Sequence, residues 1–473
     1  MNIAVLNGSP KGDLSITMQY VEFIKKNYPQ HKIQQFDVAS QIKQLEQNKD
    51  YFQKTINEIA KADGIIWGFP VYYFLVPSQY KRFIELIFER NMKSAFCDKY
   101  TVSLSTSVHF YDHAAHNYIN AVCDDLGMKY VDKFSADMYD LLEKKCRENL
   151  IVFAEDFFEA IERDRVTQYA YEPLTNKSFI YTPSARTKTV TVKNKKVLIM
   201  TDTLDQKTNL GKMVSQLKDG LSGLVEIVDL SALDIKSGCF GCLECGYDNI
   251  CSQDKSDSFT NFFKNTVEPA DVLIYAATIK DRFISSTWKL FFDRCFFLGH
   301  IPLLKDKQIG LIVSGPLCEI SNIRQVLEAY VECAGANMVG FVTDEHEQSE
   351  IIDELLQNLA EKMMWFASIG YKKPPTFLSI AGRKLLRDDV VWGRLRFVFQ
   401  ADHRYYRKHG LYDFPHRNFK IRIFNHVMIF LTKIPVFRKK FIKNIRKEMV
   451  VNHRKVIKKM DSLQAYYSQN KRK

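Results

Sequence analysis

The feature that most constrains the fold is an alternation of short apolar runs and helical patterns over residues 1–165. The apolar runs lie near residues 2–6, 32–37, 63–68, 99–105 and 129–134. Helical patterns lie between and after them. Alternation at this spacing predicts an α/β domain with a parallel, doubly wound sheet, because parallel strands need a crossover helix between them. In such a fold, ligand-binding loops lie at the carboxyl ends of the strands.

Three loops after these strands carry ligand-binding chemistry. The first loop, residues 7–12, is rich in Gly and Ser and precedes a helix that begins near Ser15 and Thr17. Backbone N–H groups, hydroxyls and the positive end of a helix can together hold a phosphate. The second loop, residues 70–73, is a proline and aromatic segment, and the third loop spans residues 105–111. An ordinary strand–helix loop and a helix-capping turn are the alternatives for the first and third loops.

The order of these motifs resembles that of the NAD(P)H-dependent FMN reductases and the related multimeric flavodoxins. The resemblance is carried by NGSPKG and S-x-T, then P-V-Y-Y, then P-S-x-x-K-x-F-I-E. It implies a flavodoxin-like fold, an FMN phosphate in the first loop and the flavin ring along the second. With the third loop at the ring edge, the candidate FMN-binding residues are Ser9, Lys11, Ser15, Thr17, Pro70, Val71, Tyr72, Tyr73, Ser105, Ser107 and His109.

The pattern restarts after a polar linker at residues 166–195. Residues 270–293 align without gaps on residues 62–85, and Ala, Asp, Ser, Lys and Phe recur in register. This repeat predicts two tandem flavodoxin-like domains, copy one at residues 1–165 and copy two at 196–370. Since relatives of this fold commonly act as dimers, the resemblance implies an intramolecular pseudo-dimer. A second domain that has become purely structural is the alternative.

The two copies differ in their first loops. Copy two has TDTLD at residues 201–205 where copy one has NGSPK, so two carboxylates replace groups that would face a phosphate. Pro70 and Tyr72 are replaced by Thr278 and Lys280. We therefore expect copy one to hold FMN and copy two to be a degenerate site.

Copy two carries a cysteine loop, residues 239–252, that copy one lacks. Its Cys239, Cys242, Cys245 and Cys251 follow the spacing C-x2-C-x2-C-x5-C, with glycines beside them. Four such thiolates can wrap one metal centre, and glycine N–H groups can bond the sulfurs. The motif resembles that of iron–sulfur flavoproteins, which implies a [4Fe–4S] cluster, although Ser252 replaces the Pro of ferredoxin runs. A zinc site and a loop that only shapes the flavin site are the alternatives.

The basic charge of the chain is confined to a C-terminal extension, residues 371–473. It carries 27 Lys and Arg against 6 Asp and Glu, whereas residues 1–370 carry 40 against 49. Residues 441–460 combine apolar and basic positions at helical spacing, which predicts a basic amphipathic helix on an anionic membrane. Packing of that helix on the protein's own domains is the alternative. We expect no nucleic acid partner, because no recognition motif is present.

The location expected from the sequence is cytoplasmic. Met1 leads directly into the first strand, without a signal-peptide pattern, and no run of eighteen apolar residues could span a membrane. Ten cysteines without a secretory signal favour a reducing compartment. The extension adds a peripheral position at the inner face of the membrane.

The expected function is that of an NAD(P)H-dependent FMN oxidoreductase. Electrons would pass from a nicotinamide nucleotide to an unidentified acceptor, with the cluster as a further carrier. No arrangement of Ser, His and Asp or of paired carboxylates indicates a catalytic residue. A membrane-associated electron carrier or adaptor without a small-molecule substrate is the alternative.

Overall fold

The structure, a computed structural model, describes residues 1–175, 178–184, 188–192, 194–413 and 419–470. The side chains of residues 446–449, 452 and 460–470 lie outside this description. Residues Met1–His409 form one compact unit and Gly410–Lys473 form another. The extension is therefore divided, because its first part belongs to the unit that contains both copies.

Copy one contains the predicted five-stranded parallel sheet. Its strands are β1 (Asn2–Asn7), β2 (Lys32–Phe36), β3 (Gly64–Pro70), β4 (Tyr100–Ser107) and β5 (Lys129–Asp137). The order β2-β1-β3-β4-β5 is that of the flavodoxin-like fold. In the register, Ile3 lies opposite Ile33 on one side and Gly64 on the other. β1 and β3 are apolar along nearly their whole length because helices cover both faces of the sheet.

Six helices lie between and after the strands of this sheet. They are α1 (Ile16–Asn27), α2 (Ile42–Gln47), α3 (Lys49–Ile59), α4 (Ser78–Glu89), α5 (Asp112–Leu126) and α6 (Lys144–Glu162). α1 and α6 contribute to the core on one face, with Met18 and Phe157 among its buried residues. α3, α4 and α5 contribute to the core on the other face.

Copy two repeats the same architecture. Its sheet contains β7 (Val197–Thr201), β9 (Val225–Asp229), β10 (Val272–Thr278), β11 (Gln308–Ser314) and β12 (Asn337–Thr343). The order β12-β11-β10-β7-β9 is the order of copy one read from the opposite edge. Two further short strands, β6 (Val190–Thr191) in the linker and β8 (Leu221–Ser222), pair with each other in parallel.

The helices of copy two follow the same pattern, apart from two short ones. They are α7 (Asn209–Asp219), α8 (Cys245–Asp248), α9 (Phe259–Phe262), α10 (Ser286–Arg294), α11 (Ser321–Cys333) and α12 (Ser349–Ile369). α8 belongs to the cysteine loop, and a π-helical turn continues α9. α12 ends before the Pro374–Pro375 pair, which cannot continue a helix.

Helices α4 and α10, which correspond to each other in the repeat, join the two copies by reciprocal hydrogen bonds. The backbone N–H of Ser78 donates to the Asp293 carboxylate at 2.7 Å. The backbone N–H of Ser286 donates to the Glu85 carboxylate at 2.6 Å. Each carboxylate thus caps the N-terminus of the facing helix, where the helix dipole favours a negative charge.

Two buried lysines balance these carboxylates. Lys81 lies 2.8 Å from Glu85 and 2.9 Å from Asp281 of copy two, and Lys289 pairs with Asp293. Burial raises the pKa of Asp281 to about 6, although Lys81 opposes this shift. Because these charges are inside the protein, removal of one partner would leave another without compensation.

The extension continues with helices in both compact units. In the first unit, α13 (Phe377–Lys384) leads into a π-helical segment (Leu385–Arg394) and α14 (Gln400–Lys408). The Tyr111 hydroxyl of copy one donates to the Leu378 carbonyl at 2.7 Å, which anchors α13. The second unit contains α15 (Phe419–Thr432) and α16 (Pro435–Asn470). Within the described ranges, no helix is both long enough and apolar enough to cross a membrane.

Candidate functional site

A cleft lies at the carboxyl ends of β1, β3 and β4, where the three predicted loops meet. Eight of the eleven residues predicted for FMN line it: Ser9, Lys11, Ser15, Pro70, Val71, Tyr72, Tyr73 and Ser107. Parallel strands bring these loops to one edge of the sheet although they are far apart in sequence. Polar residues of the first loop form one end of the cleft, and aromatic residues form another part of its wall.

The first loop provides hydrogen-bond donors and a positive charge. The Ser9 N–H donates to Asn7 Oδ1 at 3.0 Å, and the Lys11 N–H donates to Ser9 Oγ at 3.3 Å, which fixes the turn. Ser15 is buried at the N-terminus of α1, and its side chain makes no capping hydrogen bond. The first N–H groups of α1 therefore lack a side-chain cap, as an anion-binding helix end requires.

Lys11 places a basic side chain in the part of the cleft that the first loop forms. Within the described part of the chain it makes no ion pair with an acidic side chain. Partial burial lowers the pKa of its amine, and the nearby Cys239 and Cys242 oppose this effect. A bound phosphate would supply the anionic partner that Lys11 lacks.

The second loop has a strained backbone that copy two holds in place. Tyr73 and Phe74 have φ values of +42° and +73°, in a region that non-glycine residues rarely occupy. Lys289 Nζ donates to the Tyr72 carbonyl at 3.0 Å, and the Tyr330 hydroxyl donates to the Tyr73 carbonyl at 2.6 Å. Strain of this kind persists only where surrounding contacts over-determine it, and here those contacts come from the other half of the chain.

Three of the predicted residues do not line the cleft. Thr17 and Ser105 are buried, and their hydroxyls bond Thr106 Oγ1 at 2.7 Å and His116 Nε2 at 2.8 Å. His109 turns outward and bonds Asp112 at 2.8 Å. Thr17 lies inside the helix, and Ser105 lies on the strand face that contacts α5, so neither hydroxyl reaches the loop edge.

Copy two contributes the opposite wall of the cleft. The lining residues from this half are Cys239, Gly241, Leu243, Phe296, Gly299 and His300. Gly241 has φ +65°, and a Cβ atom there would lie 1.9 Å from the Tyr72 hydroxyl. The Gln79 side chain also donates to the Cys239 carbonyl at 3.4 Å. The backbone of the cysteine loop at Gly241 therefore packs directly against Tyr72 of the second loop, and only glycine permits so close a contact.

The extension covers a further part of the cleft. Leu386, Val390, Leu395 and Phe399 line it with apolar side chains. The sequence analysis missed these residues, along with the lining residues of copy two other than Cys239. The apolar positions within the basic segment 382–400 indicate that this segment packs against something, but the pattern does not indicate which surface it covers.

The four cysteines of the cysteine loop line a second, small cavity of about 20 Å³ beside the cleft. The Gly241 N–H donates to Cys239 Sγ at 3.3 Å, a contact of the kind that stabilises cluster-bound sulfur. In the part of the chain described, however, no three His, Cys, Asp or Glu side chains are grouped so that they could hold a metal ion. Burial raises the pKa of the Cys239 thiol, and raises that of Cys245 to about 12. The thiols as arranged do not fit a metal centre.

The corresponding cleft of copy two, a cavity of about 540 Å³, has one of the protein's own carboxylates in its lining. Asp202 stands where copy one has Gly8, and it accepts hydrogen bonds from the Thr278 N–H at 3.0 Å and from the Ser285 hydroxyl. Burial raises the pKa of Asp202. An anionic ligand placed here would meet a half-buried acidic side chain, which is unfavourable at short range.

Comparison with known families agrees with the strand order of copy one. A family described as "Flavodoxin-like fold" matches residues 1–150. Copy one has the flavodoxin-like fold. Copy two has the same strand order, although the family match does not extend to it. No curated protein sequence matches the chain.

Solved structures resemble the chain only weakly. The apo form of the NADH:FMN oxidoreductase EMOB is 18% identical, with 34% of this chain and 89% of that chain covered and a TM-score of 0.30. FerB from Paracoccus denitrificans, an NAD(P)H:acceptor flavoenzyme, is 14% identical, with 34% and 97% covered and a TM-score of 0.30. An NADPH-quinone reductase from P. pentosaceus is 13% identical, with 33% and 96% covered and a TM-score of 0.27.

Proposed function

We propose that this protein is an FMN-dependent oxidoreductase that transfers electrons between NAD(P)H and an acceptor. The observation that carries the proposal is the cleft itself, in which Ser9, Lys11 and the uncapped N-terminus of α1 lie at one end. The second loop lines the cleft with Pro70, Tyr72 and Tyr73, whose apolar and aromatic surfaces suit an aromatic ring. A phosphate joined to a flavin ring has this combination of charge and apolar surface.

Each part of the cleft has a distinct role in this proposal. Ser9, Lys11 and Ser15 would hold the FMN phosphate, and the second loop would orient the ring with support from Lys289 and Tyr330. Gly241 and the apolar residues of the extension would exclude water from the ring. When bound, FMN accepts a hydride from NAD(P)H and returns electrons singly or in pairs to an acceptor.

The proposal includes an intramolecular pseudo-dimer, in which copy two completes the flavin site of copy one. It is supported by the reciprocal hydrogen bonds between α4 and α10 and by the six residues of copy two in the cleft. The half-buried carboxylate of Asp202 supports one FMN for each chain instead of two. Copy two would then serve as the structural partner that a second subunit supplies in a true dimer.

The test is flavin binding followed by steady-state turnover. Purified full-length protein should retain about one FMN per chain after reconstitution and gel filtration, and should oxidise NADH or NADPH with ferricyanide, a quinone or a dye as acceptor. Substantial turnover would support the oxidoreductase. Flavin binding with no turnover on any acceptor would favour the electron carrier, and absence of flavin binding would refute both.

The cysteine loop leaves a second candidate role, binding of a [4Fe–4S] cluster. All four cysteines line one cavity, but among the described residues they are not grouped to hold a metal ion, so cluster binding would require their thiols to converge. Iron and acid-labile sulfide should be measured on anaerobically purified protein, together with the visible spectrum. Four iron atoms per chain that are lost in Cys242→Ser would support the cluster, whereas iron-free protein would leave the loop as a wall of the cleft.

We also propose that the second compact unit attaches the protein to an anionic membrane surface. Residues 410–473 carry 17 Lys and Arg against 3 Asp and Glu. α15 has no buried residue, and its Phe419, Phe424 and Phe430 are between 61% and 70% exposed. Exposed apolar groups beside a polybasic segment match an interfacial helix, where each basic residue contributes roughly 1 kcal/mol at low salt.

Vesicle co-sedimentation tests the membrane proposal. A chain that ends at His409 keeps the extension residues of the cleft, so it should bind FMN normally and lose binding to phosphatidylserine vesicles. Binding by the full chain should fall as salt is added, since salt screens the charges. Equal sedimentation of the two chains, or sedimentation that depends on neither lipid charge nor salt, would refute attachment by this unit.

A further inference from the structure

A histidine and an aspartate from distant segments form a buried pair on the wall of the cleft. His300 follows α10 in copy two, and Asp402 lies in α14 of the extension. His300 Nδ1 lies 2.7 Å from Asp402 Oδ2, and the two side chains are only 7% and 4% exposed. The other carboxylate oxygen, Oδ1, is buried and has no hydrogen-bond partner among the described residues. A carboxylate buried in this way is costly unless a cation lies beside it.

The surroundings of His300 fix the direction of its ring. Phe296 and Phe399 pack edge-on against the imidazole, with ring centroids at 5.3 Å and 4.6 Å. The Tyr406 hydroxyl donates to the His300 carbonyl, which fixes the backbone. Because Asp402 engages Nδ1, Nε2 is the nitrogen that remains for a ligand, and no residue in the described ranges bonds it.

We infer that His300 donates a proton to a two-electron acceptor, such as a quinone, that binds in this cleft. The inference rests on the proposed function. Reduction of a quinone to a hydroquinone requires two electrons and two protons, whereas NAD(P)H provides two electrons and one proton as a hydride. The second proton must come from water or from an acid in the site. Among the described residues that line the cleft, His300 is the one that presents an imidazole nitrogen to it.

The proton transfer balances as follows. The Nε2–H bond of the imidazolium breaks as an O–H bond forms on the acceptor, and the neutral imidazole keeps its Nδ1–H bond to Asp402. Water then reprotonates Nε2, so the overall reaction converts NAD(P)H, one proton and a quinone into NAD(P)⁺ and a hydroquinone. Asp402 acts as a positioning residue, because it fixes the tautomer and stabilises the positive charge.

The decisive experiment compares acceptors that do and do not need a proton. Full-length, FMN-loaded protein is reduced with NAD(P)H, and its reoxidation by benzoquinone and by ferricyanide is followed. Ferricyanide accepts one electron and no proton. We expect His300→Gln to slow benzoquinone reduction about 100-fold, a typical contribution of a general acid, and to leave the ferricyanide rate unchanged. Asp402→Asn should show the same selectivity with a smaller loss.

His109→Gln is the matched control, since His109 also pairs with an aspartate, Asp112, at 2.8 Å but does not line the cleft. It should leave both rates unchanged. A solvent deuterium isotope effect on the benzoquinone step should be present in the wild type and absent in His300→Gln. Equal slowing of both acceptors by His300→Gln, or slowing of neither, would overturn the inference.

A readout on flavin-free protein separates this inference from the proposed function. With ¹⁵N-labelled histidine, NMR should assign the Nδ1–H tautomer to neutral His300 in the wild type and in His109→Gln, and should detect its loss in Asp402→Asn. An Nε2–H tautomer in the wild type would overturn the inference. If the wild type bound no FMN, the proposed function would be refuted, because no acceptor would be reduced, whereas the NMR result would still report on His300.

Discussion

The first loops of the two copies both follow the first strand of their sheet, β1 or β7, but they differ in the groups that they present. In copy one, Ser9 and Lys11 line the cleft, and the N-terminus of α1 has no side-chain cap. In copy two, the Asp202 carboxylate bonds Thr278 and Ser285, and the Thr208 hydroxyl caps α7 by accepting from the Gly211 N–H at 3.1 Å. Copy one leaves the N-terminus of α1 without a side-chain cap, whereas copy two satisfies the N-terminus of α7 with its own Thr208.

This difference separates two uses of one fold. Copy two has an acidic side chain in its first loop, yet it supports the second loop of copy one through Lys289 and Tyr330 and supplies the wall around Gly241. These contacts depend on α10, α11 and the cysteine loop. The first loop of copy two takes no part in them.

The largest expected effect comes from reversing the charge of the first loop. Ser9→Asp with Lys11→Glu should weaken FMN binding roughly 10²- to 10⁴-fold, since two charge-assisted contacts contribute about 3–6 kcal/mol. Quenching of FMN fluorescence measures the affinity. Thr203→Asp, at the position equivalent to Ser9, is the matched control and should change nothing. Flavin loss in the control would move the site to copy two.

The buried lysines Lys81 of α4 and Lys289 of α10 should both support stability, but only Lys289 should also support FMN binding. Lys81→Met leaves Glu85 and Asp281 without their shared cation and should cost about 3–5 kcal/mol of unfolding free energy, measured with urea. Lys289→Met should have a similar cost for Asp293 and should also weaken FMN binding several-fold, because the Tyr72 carbonyl loses its donor. An identical effect of both variants on FMN affinity would contradict the specific support of the second loop by Lys289.

Gly241 tests the close approach of the cysteine loop to the second loop. Gly241→Ala combines a strained backbone at φ +65° with a clash against Tyr72, and should lower both stability and FMN affinity. Gly370→Ala has a similar φ of +63° and open space around it, so it should cost about 1–2 kcal/mol of stability alone. If FMN affinity is equal in the two variants, the cysteine loop does not shape the flavin site.

The smallest expected effects come from the two helix N-termini. Thr208→Ala removes the cap of α7 and should cost about 1 kcal/mol of stability without changing FMN binding. Ser15→Ala removes no cap, so it should leave stability of the flavin-free protein nearly unchanged and weaken FMN binding. The opposite pattern would show that Ser15 is a structural residue and Thr208 a ligand-binding one.

The sequence predicted the elements of copy one because their signals are local. All five strands of copy one were predicted to within a few residues, and the first loop and Pro70–Tyr73 lie on the cleft as expected. Thr17 and Ser105 do not line the cleft, because helical and strand periodicity decides the direction of their side chains and a motif does not report it. The support from Tyr330 and the cover from Phe399 involve residues more than 200 positions away, and no local pattern specifies such contacts.

A structure of the FMN-reconstituted protein tests the central claim most directly, namely that copy one holds the flavin and copy two completes its site. The account predicts one FMN per chain, with its phosphate at Ser9, Lys11 and Ser15 and its ring between the second loop and Gly241. FMN bound at Asp202, or a ring that lies away from the cysteine loop, would contradict it.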